Sequence, residues 1–245
     1  PGRPNQGIVF WSMCGDEIAS VIPAHISNIT SGMLRTVLGS GETRIETIEH
    51  ILAAMRGMEI DNVVIKVWGN EMPMMDGSAL AWVDLIQEVG IVDQTAASRK
   101  IVITKEIVVG GPNAWCSLRP SMDGSFTIRY DISYPHPMIG HQRLGIVLNR
   151  NAFLRNLAAA RTFGFISELE SIRSVGLARG ASEENVIAFD DDGIIGLNQL
   201  RWPDEPIRHK IVDAVGDLSL VGHPLVGIFT GYRSGHVLNQ RLVSA

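Results

Sequence analysis

Residues 207–218 read IRHKIVDAVGDL. Ile211, Val212, Val215 and Leu218 recur at apolar helical spacing and Pro206 stands just ahead, so the run predicts a helix. His209, Asp213 and Asp217 follow one another at four-residue steps. On a helix that spacing stacks three ionisable side chains along one face. An imidazole and a carboxylate one turn apart can point at one ion. The same pattern also describes a solvated face carrying a His–Asp pair. The helix alone does not decide between them; a third ligand from elsewhere would.

The remaining chain sets the frame for that helix. Its 245 residues are 45% hydrophobic and 19% charged, enough for one large domain or two small ones with real cores. The net charge is -5 and no basic block or Arg/Lys stripe occurs, so nucleic-acid binding has no support. The two cysteines, Cys14 and Cys116, make neither a disulfide framework nor a Cys-type zinc site and fit a reducing compartment. No apolar run reaches the ~18 residues of a membrane helix, and no signal peptide is visible.

Residues 47–58 (TIEHILAAMRGM) predict a second helix. Thr47 is its N-cap or first-turn residue, and Ile48, Ile51, Leu52 and Met55 form an apolar stripe. Glu49 and His50 are adjacent and point about 100° apart; a structural reading makes them an exposed Glu and a partly buried His. A β-branched strand follows at 62–68 (NVVIKVW), then turn signals at 71–78 (EMPMMDGS), then a helix at 79–89 closed by Gly90. The polar run 94–99 (QTAASR) is the linker candidate. Beyond it, 100–109, 114–118 and 125–133 read as strands, 151–160 opens a helix, and 161–165 is RTFGF. Asp190, Asp191 and Asp192 read as a polar turn rather than a calcium loop. An apolar strand at 225–229 and a helix from about His236 close the chain. His25 and His223 read as structural, and His136 and His141 as surface residues.

Placing His50 over His209 brings Gly57 onto Gly216. Both halves then run helix, short loop, apolar strand, Gly/Ser turn, helix. This predicts two similarly built halves divided near residue 95, whose helices could bring His50 to His209 and Asp213 across an interface.

Three stretches taken together resemble a known family: TIEHILAAMRGMEIDNVVIKV…EMPMMDGSA, ARTFGF, and RHKIVDAVGDL…GHPLVGIFTGYRSGHVLN. They are similar, in order and spacing, to the zinc-dependent UDP-3-O-acyl-N-acetylglucosamine deacetylases of lipid A biosynthesis. The resemblance runs from about Gly7 to the end. It implies an α+β fold of two ββααβ-type domains, with helices layered between two sheets and an insert in each. Residues 1–95 would form the first domain, carrying His50. Residues 96–245 would form the second, carrying His209 and Asp213, with an acyl-passage insert at about 166–192. Family members usually begin with two strands carrying a Gly-Ile-Gly-Leu-His-Ser-Gly segment. Nothing like it precedes PGRPNQGIVF, so the first sheet is expected to be short of strands.

The resemblance also implies the site. His50, His209 and Asp213 would hold one catalytic Zn²⁺, and Glu49 would be the general base. His236 would be the second catalytic group, oriented by Asp217, and Thr162 would be an oxyanion donor. Lys210 and Phe163 would contact the substrate. Phe163, Phe165, Leu169, Ile172 and Leu177 are either core or lining of the acyl passage. Three protein ligands with an open position mark a catalytic zinc site, where zinc lowers the pKa of water to about 7. Such a hydrolase would act on a UDP-linked acylated glucosamine as a cytoplasmic monomer of a Gram-negative type cell, touching the membrane only transiently. Two other readings remain: a different two-His, one-carboxylate metalloenzyme, such as a non-haem iron oxygenase, or an inactive glycolipid-binding remnant.

Overall fold

The computed structural model describes residues 1–30, 32, 34–174, 182, 184–195 and 199–245. The chain is α+β. Its first half runs β1 (Ile8–Cys14), β2 (Glu17–Pro23), β3 (Ile29–Thr30), β4 (Val37–Ser40), β5 (Thr43–Glu46), α1 (Glu49–Gly57), β6 (Val63–Trp68) and α2 (Leu80–Val89). Its second half runs β7 (Ile101–Val102), β8 (Ile107–Gly111), β9 (Ala114–Arg119), β10 (Phe126–Ser133), β11 (His141–Val147), α3 (Arg150–Asn156), β12 (Phe163–Phe165), α4 (Ile166–Ser174), β13 (Ile187–Phe189), α5 (Glu205–Leu218), β14 (Leu225–Tyr232) and α6 (His236–Val243). Residues 91–100, which include the linker candidate, carry neither helix nor strand.

The same connection occurs twice. β1 pairs antiparallel with β2 and parallel with β6, giving the order β2-β1-β6. β10 pairs antiparallel with β11 and parallel with β14 in the larger sheet β11-β10-β14-β9-β8. A helix from each crossover, α1 before β6 and α5 before β14, meets the other. α5 also packs on β10, where Ile128, Tyr130 and Ile132 are buried. Two smaller sheets, β3-β4-β5 and β12-β13, complete the strands described.

The burial of α5 removes the solvated-face reading of its polar stripe. Only Arg208 and Lys210 of its fourteen residues are not buried. A helix buried all round must find partners for every charge it carries, and His209, Asp213 and Asp217 all lie on it. α1 is similarly enclosed, with Arg56 its single residue outside the buried class. Both Glu49 and His50 are therefore buried, not an exposed Glu beside a partly buried His.

The contact between the two helices is a backbone contact. A Cβ built on Gly216 would lie 2.2 Å from the carbonyl oxygen of Glu49. Glycine is thus what lets the N-terminus of α1 settle against the middle of α5. Gly57, its match in the repeat, meets a different neighbour: a Cβ there would lie 2.2 Å from the Phe153 ring.

Two local expectations change. The strand read at 100–109 is two strands, because its halves join different neighbours: β7 pairs parallel with β14, and β8 pairs antiparallel with β9. Thr47 does not cap α1. Its φ is 59°, and its hydroxyl donates to Glu71 Oε1 at 2.9 Å. Ile48 occupies the cap position without a side-chain bond. The aspartate run does form a polar turn, with Asp190 Oδ1 accepting from the backbone N–H groups of Asp192 and Gly193.

Gly216→Ala is expected to push α1 off α5 and cost about 1–3 kcal/mol of stability. Urea unfolding measures it; a midpoint equal to that of the parent chain would mean the two backbones can separate without loss.

Candidate metal centre

α1 starts at Glu49, so Glu49 and His50 are its first two residues, held in place by the Thr47 corner. A β-branched residue at positive φ costs of order 1–3 kcal/mol, and the Thr47–Glu71 bond helps to hold it there. From this corner His50 reaches α5. His50 Nε2 lies 3.9 Å and His209 Nε2 3.2 Å from the same oxygen, Asp213 Oδ1. The two rings meet edge to face, with centroids 5.0 Å apart. One nitrogen from each His and one oxygen of Asp213 all lie within 4.8 Å of one another. Among the described residues this is the group able to hold a metal ion.

The donor set fits a divalent ion such as zinc. His209 Nδ1 faces the carbonyl oxygen of Ala160 at 3.0 Å. It must carry the hydrogen to donate there, which leaves Nε2 as the free ligand atom. Burial, with the charge of His209 adding to it, pushes the His50 imidazole down to about 3, so it is neutral at pH 7. Burial pushes the Asp213 carboxyl up, but Lys210 and His209 outweigh it and hold the group well below the usual carboxylate range. Ligands in their deprotonated forms are what a metal requires. Lys210 Nζ donates to the other oxygen, Asp213 Oδ2, at 2.8 Å, and the charge of Asp213 outweighs the partial burial of this lysine and keeps it charged.

Two more ionisable groups face the same place. Burial raises the Glu49 carboxyl to about 7, less than it would without His236 nearby. His236 opens α6, with Nδ1 2.9 Å from Asp217 Oδ2 and Nε2 3.9 Å from Asp213 Oδ2. Burial alone would push His236 down; the charge and hydrogen bond of Asp217 outweigh it and lift the imidazole to about 9. Asp217 is fully buried and also accepts from Asn239 Nδ2 at 2.9 Å and from the Thr36 hydroxyl at 2.6 Å.

These groups share a cavity of about 1610 Å³, whose lining includes Glu49, His50, His209, Lys210, Asp213 and His236. Thr162, Phe163, Phe165, Leu169 and Ile172 line it too, so those five expected residues border one space. Leu177 lies outside the described residues. Phe163 and Phe165 pack with Tyr134 and Phe189. Thr162 is held by its backbone, its N–H donating to Gly77 O at 2.8 Å. The residue before it, Arg161, is buried against Glu205, the first residue of α5, with Nε 2.9 Å from Oε1. The ARTFGF segment is therefore fastened to the helix that carries His209.

The whole chain, residues 1–245, matches the family model described as LpxC, UDP-3-O-acyl N-acetylglycosamine deacetylase. The chain belongs to this family. A UDP-3-O-acyl-N-acetylglucosamine deacetylase of Myxococcus xanthus is 41% identical over 99% of this chain and 76% of its own length. The enzyme of the same name from Acidithiobacillus ferrooxidans is 40% identical over the full chain and 80% of its own length. That from Brucella ovis is 39% identical over the full chain and 85% of its own length. Deacetylase family membership agrees with the resemblance carried by the three sequence stretches.

The sequence did not point to every residue at the site. His136 is buried rather than on the surface: its ring packs on Phe165 and Phe189, and its Nε2 lies 2.7 Å from Asp190 O. Thr36 belongs to no motif, and its partner Asp217 is 181 residues away. Asn239 carries a weak signal, since it lies three residues after His236 on the same helix.

Glu205→Gln leaves the Arg161 guanidinium buried beside a neutral group. A broken buried pair costs about 3–5 kcal/mol, so a large drop in the chemical denaturation midpoint is expected. A change below about 1 kcal/mol would show that the pair does not anchor this segment.

Proposed function

We propose that this chain is a zinc-dependent amide hydrolase removing the N-acetyl group of UDP-3-O-acyl-N-acetylglucosamine, with release of acetate and the free amine. This is the committed step of lipid A biosynthesis. One observation supports the reading most: two imidazoles and a carboxylate converge with Glu49 and His236 on the lining of one cavity, in a chain of the deacetylase family. Residues 1–95 and 96–245 serve as two half-domains, the first supplying His50 and the second His209 and Asp213. The duplicated strand connection favours that division.

His50, His209 and Asp213 hold the zinc. Bound there, it supplies Lewis acidity, polarising the amide carbonyl and lowering the pKa of water from 15.7 to about 7. Glu49 takes the proton of the attacking water; at about 7 its carboxyl is poised both to accept and to give up that proton. His236, cationic at neutral pH and held by Asp217, faces the developing oxyanion with Nε2 and is a proton source for the leaving amine. Thr162 adds a donor to the oxyanion. Lys210 contacts the substrate and balances the charge of Asp213. Phe163 lies beside the sugar, and the apolar lining within about 166–192 receives the acyl chain. The enzyme works as a monomer on the cytoplasmic side, and no helix of the described residues is long and apolar enough to cross a membrane.

Chelation is expected to abolish acetate release from the UDP-acylglucosamine, and zinc to restore it. Glu49→Gln should lower kcat about 10²–10⁴-fold with metal content unchanged. Full activity in that variant would remove Glu49 as the base.

The pH profile follows from the same two groups. A base must be deprotonated, so kcat/KM rises with pH through the Glu49 value, about 7. An acid must be protonated, so it falls through the His236 value, about 9. A bound cation lowers both. Asp217→Asn removes the anion that lifts His236 and should move the alkaline limb to lower pH. An alkaline limb unmoved in Asp217→Asn would contradict the assignment of that limb to His236.

A further inference from the structure

Thr36 is fully buried and joins segments that are distant in sequence. Its backbone N–H donates to Glu49 Oε2 at 3.0 Å, and its carbonyl accepts from Ile48 N–H at 3.4 Å. Its hydroxyl donates to Asp217 Oδ1 at 2.6 Å, accepts from Gln240 Nε2 at 3.1 Å, and lies 3.3 Å from His236 Nδ1. One residue therefore touches both groups to which proton transfer has been given, and the carboxylate that orients one of them.

The hydrogen count on that hydroxyl is constrained. A hydroxyl has one hydrogen and two lone pairs. A carboxylate only accepts and an amide nitrogen only donates, so the hydrogen goes to Asp217 and one lone pair faces Gln240. The other lone pair is what His236 Nδ1 meets. Nδ1 also faces both Asp217 oxygens, at 3.1 and 2.9 Å. A bare Nδ1 would set its lone pair against three acceptor oxygens, whereas a hydrogen there is shared among them.

We propose that Thr36 is a positioning residue which sets Glu49 and His236 relative to each other. Its hydroxyl, with Asp217, keeps the hydrogen of His236 on Nδ1, so that Nε2 is the nitrogen that exchanges a proton with the substrate. Its backbone N–H fixes the Glu49 carboxylate from the same residue. The inference rests on the reading of Glu49 and His236 as the proton-transfer pair. It adds that their mutual placement depends on a side chain that touches neither metal nor substrate.

The test compares Thr36→Val, which keeps shape and backbone but loses the hydroxyl, with Thr36→Ser, which keeps it. Both are measured zinc-loaded. Thr36→Val is expected to lose about 10–100-fold in kcat, with KM and bound zinc unchanged, while Thr36→Ser stays close to the parent chain. A second readout is the hydrogen-bonded Nδ1–H proton resonance of His236, assigned by its loss in His236→Gln. It should shift and exchange faster in Thr36→Val and persist in Thr36→Ser. If Thr36→Val does not fold, Thr36→Ala is read in its place. Equal losses in the Ser and Val variants, an unchanged resonance, or kcat within twofold of the parent chain would each overturn the proposal. Full activity in His236→Gln would instead overturn the proton-transfer reading beneath it, leaving the resonance as a separate measure of what Thr36 holds.

Discussion

The site depends on how closely the backbones of α1 and α5 approach. Gly216 removes a Cβ that would sit 2.2 Å from the Glu49 carbonyl oxygen, so the first turn of α1 lies directly on α5. Glu49 and His50 are the residues of that turn. The positive φ of Thr47 turns the chain into the helix at that point. A glycine on one helix and a strained corner before the other thus act together. The first fixes the distance between the helices and the second fixes where α1 begins.

That approach concentrates charge where charge is costly. Glu49, His50, His209, Asp213 and Asp217 are all buried, and Lys210 and His236 nearly so. Isolated buried charges would neutralise or unfold the chain. Here each has a counterpart. Lys210 faces one oxygen of Asp213 while the His209 and His50 imidazoles face the other. His236 answers Asp217, which two further protein donors, Thr36 and Asn239, also satisfy. Glu49 accepts from the Thr36 backbone N–H and lies near the His236 cation, and it remains the group that burial raises toward neutrality. A carboxyl that burial lifts to about 7 suits the proposed role of base.

Much of this could be read from the chain, for identifiable reasons. Helices α1 and α5 follow from apolar periodicity, and the His209–Asp213–Asp217 stripe follows from helical geometry alone. His50 as third ligand needed the repeat and the resemblance, because no local rule relates it to a helix more than 150 residues away. Thr36 was not legible, since what defines it is that its hydroxyl meets Asp217, His236 and Gln240, all more than 180 residues away. His136 was misread because a His between prolines resembles a loop residue until the aromatic rings around it are known. The 100–109 strand was misread because apolar content does not say which neighbour each half will pair with.

Setting α1 against α5 also shows how unequally the two helices supply the His50–His209–Asp213 group. Position for position, His50 answers His209, but the residue four beyond His50 is Ala54, where α5 has Asp213. Ala54 is fully buried and apolar, so α1 contributes one imidazole and α5 an imidazole and a carboxylate. The residue before each His differs in the same sense: Glu49 on α1, Arg208 on α5. Arg208 turns away to pair with Asp204 and lie over Trp202, whereas Glu49 remains in the cavity lining. The two helices thus differ at both positions: Ala54 stands where α5 has Asp213, and Glu49 lines the cavity where α5 has Arg208. Under the proposed function the first difference leaves a metal position open to substrate and the second supplies the base.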